Sequence, residues 1–497
     1  MKKQKHIVEK VFTTPAEALQ YSIDGTQKIA KTLPGAQNEQ VVRAKEYWAV
    51  AGPAVTARAV ENSHKFAQKM PLANSKPVVY ARNYWYLLGP GLTTGAADDD
   101  PSGIATYSQT GAQTGFAFAW MAIFTFPLMS VVQEMCARIG LVTGRGLASN
   151  IKHHFPRKIL YISTLLLFAA NTFNIGADIG AMAKAVQLLL PKAGFTVLVF
   201  GITIFILLLQ IFTPYARYAK YLKWLALVLL AYIVSAILAH PDWNQILRHS
   251  LVPHLSFSRD QILLVCAILG TTISPYLFFW QTSQEIEEEV AVGQTTIKQR
   301  MGTDATTVKR MRIDVWSGML LSNLVMFFII VACGSILYPH GITNINSAAQ
   351  AAEALRPFAG NATYWLFAIG IIGTGLLAIP ILAGASSYAI SESLGRRQGL
   401  NHKLRKAPTF YGVIIISMII GLSINFIGLN PIKALLYAAV ANGIVAPVVL
   451  VLIVLLASNK KVMGEWANRR HTTAIGWFVT ALMAVSGLAA IYAIFQG

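Results

Sequence analysis

Long apolar stretches, separated by short polar linkers, run along the chain from about residue 84 to its C-terminal end. Most have the roughly 20 residues that a helix needs to cross about 30 Å of hydrocarbon. Backbone groups inside a bilayer must bond within their own segment, so each stretch predicts a helix. We predict an all-α membrane protein with eleven transmembrane helices, at residues 84–111, 115–142, 157–190, 194–213, 219–239, 260–288, 311–338, 361–391, 407–428, 431–457 and 470–495.

The linkers between these stretches differ in charge. Lys and Arg concentrate in alternate linkers, and basic linkers stay on the cytoplasmic side of a membrane. Five such linkers agree on a cytoplasmic N-terminus and, because the helix count is odd, an external Gly497. The basic runs are Arg145 to Lys158, Arg217 to Lys223, Lys298 to Arg312, Arg396 to Lys406 and Lys460 to Arg470.

A polar, mildly basic segment precedes the first apolar stretch. We predict that residues 1–83 are a cytoplasmic arm. Its helical patterning fits amphipathic helices on the membrane surface, and it fits a solvated tail equally well. No short apolar core follows the N-terminus, so we expect no cleavable signal peptide.

The composition supports a bilayer environment. Of the 497 residues, 55% are hydrophobic and only 13% are charged, whereas a soluble protein has about a quarter charged residues. The net charge of +19 lies in linkers between apolar stretches, so it indicates membrane topology, with lipid as the partner, and not nucleic-acid binding. Protein partners cannot be named from the sequence. We expect an integral protein of a bacterial inner membrane.

The first predicted helix contains an unusual acidic segment. Asp98, Asp99 and Asp100 are followed by Pro101 and Gly103, all within an apolar stretch. An ionised Asp at the bilayer centre costs roughly 2.5–3.5 kcal/mol, so it needs a partner or a water-filled cavity. Proline and glycine weaken the helix there, and we predict that it unwinds near Asp100.

The sixth predicted helix contains a second interruption. Pro275 removes a backbone donor and frees carbonyls near Thr271, although Pro275 alone also fits an ordinary kink. Two interrupted helices five apart are typical of a five-plus-five inverted repeat with its site at the breaks. The repeats would be residues 84–239 and 260–457, followed by helix eleven at 470–495. The negative dipole end of a half-helix at Asp100 favours a cation.

These segments resemble the Nramp family of divalent-metal transporters over most of the chain after residue 84. Its first-helix motif Asp-Pro-Gly-Asn is matched by Asp100-Pro101-Ser102-Gly103, and its sixth-helix motif Ala-x-x-Met-Pro-His by Thr271 to Tyr276. Gln133 to Ala148 is similar to the second helix of the family. The resemblance implies a LeuT-like fold with discontinuous helices one and six, and metal ligands at Asp100, Gly103, Thr271 and Ser274.

Two departures from the family motifs bear on the cargo. The metal-binding Met of the family is Ser274 here, and its Asn is Gly103. A thioether favours soft metals, while hydroxyl, carbonyl and carboxylate oxygens suit hard ions. A wider, oxygen-only site suits Mg²⁺, which dehydrates reluctantly. The pattern resembles the Nramp-related magnesium transporters, which implies Mg²⁺ and Mn²⁺ as transported substrates and no cofactor.

Proton coupling is also in question. The two sixth-helix histidines of the family fall at Tyr276 and Gln281, and its third-helix acidic pair at Asn174 and Ala177, although Asp178 remains nearby. We therefore predict uncoupled transport. The alternatives are a proton-coupled Mn²⁺/Fe²⁺ symporter, a sodium-coupled amino-acid transporter, and a Mg²⁺ channel or metal sensor. An enzyme is not indicated, because the apolar stretches lack a His-rich motif or a nucleophile–base pair.

Other polar residues are predicted to lie on the pathway or around the site, among them Tyr276 and Gln281. Asp98 and Asp99 cannot both face the same cavity as Asp100 on a helix, so we expect one to enrich cations in a vestibule and the other to cap or pair. Asn174 and Asn442 fit either contact with a hydrated ion or helix packing. Glu285 to Glu289 fit either an acidic exit or, preferably, a solvated helix end. Glu134 should contact Arg138 or a neighbouring helix.

Overall fold

The computed structural model describes residues 80, 84–213, 215–239, 241–253, 258–343, 345, 348–428 and 431–495. All regular secondary structure in this part of the chain is helical. The predicted arm at residues 1–83 lies outside the described residues, apart from Tyr80.

We number the helices in chain order. They are α1 (Pro90–Asp98), α2 (Pro101–Thr114), α3 (Trp120–Thr143), α4 (Leu147–His154), α5 (Arg157–Leu189), α6 (Phe195–Phe212), α7 (Tyr215–Leu225), α8 (Leu230–Leu238), α9 (Trp243–Leu251), α10 (Arg259–Thr272), α11 (Pro275–Ala291), α12 (Ile297–Arg300), α13 (Ala305–Ile336), α14 (Ala348–Ser393), α15 (Pro408–Ile424), α16 (Pro431–Ser458), α17 (Lys460–Met463) and α18 (Arg470–Phe495). Short 3-10 turns occupy Ala226–Leu229, Leu404–Lys406 and Gly464–Trp466.

Nine helical stretches among the described residues are long and apolar enough to cross a membrane. They correspond to nine of the eleven predicted spans. The predicted span at 84–111 is instead a pair of short helices, α1 and α2, and the span at 407–428 contains α15, which is apolar but has only 17 residues. The count of eleven membrane crossings therefore stays a prediction.

Proline defines where several helices begin. Helices α1, α2, α11, α15 and α16 start at Pro90, Pro101, Pro275, Pro408 and Pro431. Proline suits the first helical position because its fixed φ is already helical. Its lack of an N–H costs nothing there, since an N–H at that position has no partner within the helix. Two of these prolines start a new helix directly after another helix ends, which produces the two predicted breaks.

The two breaks lie where the sequence predicts them. The first is at Asp99 and Asp100, whose backbones leave the helical region with ψ values of 52° and 170°. The second is at Ile273 and Ser274, with ψ values of 57° and 133°. A residue that precedes proline is disfavoured in the α region, so Pro101 and Pro275 account for the extended conformation of Asp100 and Ser274.

Helix α1 contacts α13 backbone to backbone. A Cβ atom added to Gly91 would lie 2.5 Å from the Val315 nitrogen, and one added to Gly95 would lie 2.2 Å from the Gly318 oxygen. A Cβ on Gly318 would lie 2.0 Å from the Gly91 oxygen. These distances leave no space for a side chain, so glycine is required on both helices for this close crossing.

The start of α1 is held by a carboxylate from α13. Asp314 accepts hydrogen bonds from the backbone N–H groups of Gly89 (2.7 Å), Gly91 (2.7 Å) and Leu92 (3.1 Å). The first N–H groups of a helix have no partner within it, and a negative charge there is favoured by the helix dipole. Lys223 on α7 donates to the Leu88 carbonyl at 2.6 Å and adds a second tie.

We expect Asp314→Ala to lower the free energy of unfolding by at least about 2 kcal/mol, because each hydrogen bond to a charged group contributes roughly 1.5–3 kcal/mol. Asp314→Asn is the matched control, since it keeps one acceptor oxygen and should lose less. The thermal midpoint of the purified protein, followed by tryptophan fluorescence, measures both. Equal midpoints for the wild type and both variants would contradict a holding role for Asp314.

The carboxylates at the end of α11 are not a solvated helix end. Glu285 and Glu287 are buried, and Glu287 accepts hydrogen bonds from the Tyr388 hydroxyl (2.7 Å) and the Leu400 N–H (2.9 Å). Glu288 is exposed. The preferred prediction was therefore wrong for two of these residues, because the loop after α14 bonds to Glu287 and Gln281 donates to Glu285 within α11.

Both predicted contacts of Glu134, with Arg138 and with a neighbouring helix, are present in the structure. Its carboxylate pairs with Arg138 one turn later, at 3.4 Å, and with Arg312 on α13, at 2.9 Å. The Trp316 indole also donates to it, at 3.0 Å. Glu134 thus joins α3 to α13 and lies in the scaffold.

Candidate metal site at the two helix breaks

The two breaks lie side by side. The Tyr276 hydroxyl, at the start of α11, donates to the Ala97 carbonyl at the end of α1, at 2.8 Å. A Cβ on Gly103 would lie 3.0 Å from Thr271 Oγ1 and 3.2 Å from the Asp98 carbonyl oxygen. The structure therefore brings the breaks together from elements about 170 residues apart, as an inverted repeat requires.

The four predicted metal-binding residues are all buried at this junction. Asp100, Thr271 and Ser274 are each 1% exposed, and Gly103 is buried in the first turn of α2. The junction is closed to solvent in this conformation, and every side-chain or backbone group that these residues offer to a cation is an oxygen.

Asp100 caps the N-terminus of α2. Its Oδ1 accepts the Gly103 N–H at 2.7 Å and the Ser102 hydroxyl at 2.6 Å, and its Oδ2 accepts the Asn174 amide at 2.8 Å. An ionised carboxylate has about four lone-pair sites, so one remains to bind a cation. The three donors hold the carboxylate between α2 and α5.

The Ser274 hydroxyl is oriented by hydrogen bonds to α10. It lies 2.7 Å from both the Gly270 and Thr271 carbonyl oxygens and donates its proton toward them. The lone pairs of the hydroxyl oxygen therefore face away from α10, where they can coordinate a cation. The Thr271 carbonyl accepts from Ser274 and keeps one lone pair of its own.

Gly103 does not open the space that the sequence predicts. The space beside Gly103 is occupied by Thr271 Oγ1 and by the Tyr107 ring, whose Cε2 would lie 3.4 Å from an added Cβ. The expected wider cavity at Gly103 was wrong for this conformation, because residues from α2 and α10 fill the volume.

The three consecutive carboxylates do not converge. Asp98 turns toward α13 and accepts the Ser322 hydroxyl at 2.6 Å, while both Asp99 oxygens are buried without a hydrogen bond. Both residues are 0% exposed, so neither is a vestibule charge here, and Asp98 takes the predicted pairing role. Within the described ranges, no group of three or more His, Cys, Asp or Glu side chains could hold a metal ion.

The remaining predicted pathway residues are placed around the junction. Tyr276 bonds to Ala97, as above, and Gln281 donates to Glu285 at 2.8 Å. Asn442 on α16 is 1% exposed, and its side-chain oxygen accepts no hydrogen bond. Helix α16 packs directly on α10, since a Cβ on Gly270 would lie 2.6 Å from the Gly443 nitrogen. Of the predicted pathway residues, Asn174 is the one that hydrogen-bonds to Asp100.

Two polar residues of the site had no predicted role. Ser322 contacts Asp98 across 224 positions, and no local sequence signal could have identified it. Asp178 lies four residues after Asn174, so helical spacing places it on the same face of α5. That spacing is the signal by which it could have been found.

Comparison with known proteins gives consistent results. A family model described as natural resistance-associated macrophage protein-like (Nramp) matches residues 91–493. Among curated relatives, the divalent metal cation transporter MntH of Caldanaerobacter subterraneus is 23% identical over 394 residues, covering 78% of this chain and 89% of the relative. MntH of Deinococcus radiodurans is 25% identical over 392 residues, covering 77% and 84%.

Solved structures show the same fold. A manganese transporter of Eremococcus coleocola matches with a TM-score of 0.61 and 20% identity, over 82% of this chain and 86% of that one. A nucleobase-cation-symport-1 family transporter in a closed conformation matches with a TM-score of 0.52 and 14% identity, over 82% and 91%. The predicted all-helical, LeuT-like fold is thereby confirmed.

Proposed function

The chain belongs to the Nramp family, and from that premise we propose that it transports Mg²⁺, with Mn²⁺ as a second cargo, as a largely hydrated ion. The broader activity, transport of divalent metal cations, is that of the family. The single observation that supports Mg²⁺ is the donor set at the junction of the breaks, where Asp100, Thr271 and Ser274 offer only oxygen.

The chemistry of these donors favours a hard ion. Carboxylate, carbonyl and hydroxyl oxygens suit Mg²⁺ and Mn²⁺, whereas sulfur ligands select softer metals. Mg²⁺ binds proteins through one or two carboxylates and keeps several waters. Asp100 supplies a carboxylate, and Ser274 presents a hydroxyl whose proton is already committed to α10. The relatives named above for manganese or divalent metals support Mn²⁺ as the second cargo.

We propose that transport is uncoupled from protons. Tyr276 and Gln281 stand where the resemblance places histidines, and their polar groups bond to a backbone carbonyl and to Glu285. Neither side chain changes charge near neutral pH, as a histidine does. The membrane potential supplies the driving force instead, because a divalent ion moving inward gains about 4.6 kcal/mol per 100 mV, twice the single-charge value.

The mechanism would be alternating access by movement of the broken helices against a scaffold. With the N-terminus in the cytoplasm of a bacterial cell, the Asp314 contact with α1 lies on the cytoplasmic side. That contact would close the inner path, and its release would let α1 move away from the site.

Uptake into proteoliposomes tests this function. We expect saturable uptake of Mg²⁺ and Mn²⁺, driven by an inside-negative potential, with no acidification recorded by an internal pH dye. Ca²⁺ and protein-free liposomes are the comparisons. Acidification in step with metal uptake would favour the proton-coupled symporter, and single-channel currents would favour a channel. Absence of uptake for all three ions would overturn the proposal.

A further inference from the structure

Asp178 is a buried carboxylate next to the site that the function proposed above does not use. It lies in the middle of α5, is 0% exposed, and both its oxygens are without a hydrogen bond. Buried polar atoms are normally bonded, and an unpaired buried charge is costly. Two orphaned oxygens at one residue therefore indicate a missing partner.

The partner must approach from the side of Asp100. Asp178 lies close enough to Asp100 for the two charges to interact, and it lies beside the Ser102 N–H at the start of α2, without the geometry of a regular hydrogen bond to it. Asn174, one turn earlier on α5, donates to Asp100 and leaves its own Oδ1 buried without a partner. Three orphaned oxygen acceptors thus lie on the face of α5 that meets α2.

No basic side chain supplies that partner. No Lys or Arg among the described residues forms an ion pair with Asp178. Lys184, on the same helix, instead stacks over the Phe195 ring at 4.8 Å. The three oxygen acceptors on α5 therefore face the Asp100 carboxylate, and no Lys or Arg among the described residues pairs with Asp178.

We propose that Asp178 is the second carboxylate of the cargo site and that, with Asp100 and Asn174 Oδ1, it holds a hydrated divalent cation between α2 and α5. This inference rests on the proposed function and extends the site from the α10–α11 break to α5. One carboxylate leaves a divalent ion half neutralised, and two balance it. Water molecules bound to the ion donate the hydrogen bonds that the three acceptors lack.

The arrangement also links cargo to closure of the site. Without a cation, two carboxylates would face each other in a buried space, which like charges disfavour. With the cation between them, the same space is neutral, so binding of the cargo makes closure of the site more favourable.

The test is Asp178→Asn, which keeps the shape and removes the charge. We expect the dissociation constant for Mg²⁺, measured by calorimetry on the purified protein, to rise roughly 10–100-fold, the range for outer-shell partners of a metal. The Michaelis constant for uptake should rise in parallel. Asp178→Glu retains the charge and should recover part of the affinity. Asp260→Asn, an exposed carboxylate at the start of α10, is the matched control and should bind like the wild type.

The possible outcomes separate the two proposals. Wild-type affinity in Asp178→Asn would show that the charge is not used and would overturn the inference, while the proposed function stands. Equal loss in Asp178→Asn and Asp178→Glu would show that shape and not charge matters, and would also overturn it. A wild-type protein that binds neither Mg²⁺ nor Mn²⁺ would overturn the proposed function and the inference with it.

Discussion

Asp100→Asn is expected to reduce Mg²⁺ uptake by about 100-fold or more. Removing one partner of a buried charge pair costs roughly 2–5 kcal/mol, and each 1.4 kcal/mol is a factor of ten. The variant also places an amide where Oδ2 accepts from Asn174, so two donors would meet. Asp100→Ala removes the cap of α2 as well, and it should abolish uptake.

A swapped variant separates loss of charge from loss of structure. Asp100→Asn combined with Asn174→Asp restores both the net charge and a hydrogen bond between the two positions. We expect it to recover part of the uptake that the single variant loses, measured as initial rates in proteoliposomes at matched protein content. Near-normal uptake by Asp100→Asn alone would remove Asp100 from the ligands.

Ser274→Met is expected to shift the preference from Mg²⁺ toward Mn²⁺ by roughly tenfold, equivalent to about 1.4 kcal/mol. The substitution replaces a hard hydroxyl oxygen by a thioether, which favours softer metals. It also removes the hydroxyl that bonds to the Gly270 and Thr271 carbonyls, so total uptake should fall while the ratio changes.

The control for sulfur is Ser274→Leu, which has similar bulk and no donor atom. It should lose uptake of both ions without a change in their ratio.

Combining Gly103→Asn with Ser274→Met should strengthen the shift toward Mn²⁺ and lower stability, because even a Cβ at Gly103 lies 3.0 Å from Thr271 Oγ1. An unchanged Mg²⁺ to Mn²⁺ ratio in Ser274→Met would count against the account of the donor set, and competition uptake with both ions measures it.

The helices and their breaks could be predicted because their causes are local. Apolar length predicts a membrane helix, and a proline next to carboxylates within such a stretch predicts an interruption at Asp100. Pro275 alone fitted either a break or an ordinary kink, and the structure has a break at Ile273 and Ser274. The candidate ligands next to the breaks, such as Ser274, followed from their position in the motif.

The contacts between distant segments could not be predicted. The bonds from Asn174 to Asp100 and from Ser322 to Asp98 join residues 74 and 224 positions apart, and helical periodicity shows only which face a residue lies on. The same limit explains the errors. Glu287 fits a solvated helix end until the loop at Leu400 bonds to it, and Gly103 predicts open space until Thr271 on α10 approaches it.

The close crossing of α1 and α13 has a mechanical consequence. Gly91 and Gly95 bring the two backbones into direct contact with Gly318, so no layer of side chains remains over which the helices could slide. Motion of α1 is then restricted to a pivot about this crossing, as in a hinge and not a shear. When the Gly89 end of α1 swings outward about this crossing, the Asp100 end moves in the opposite direction.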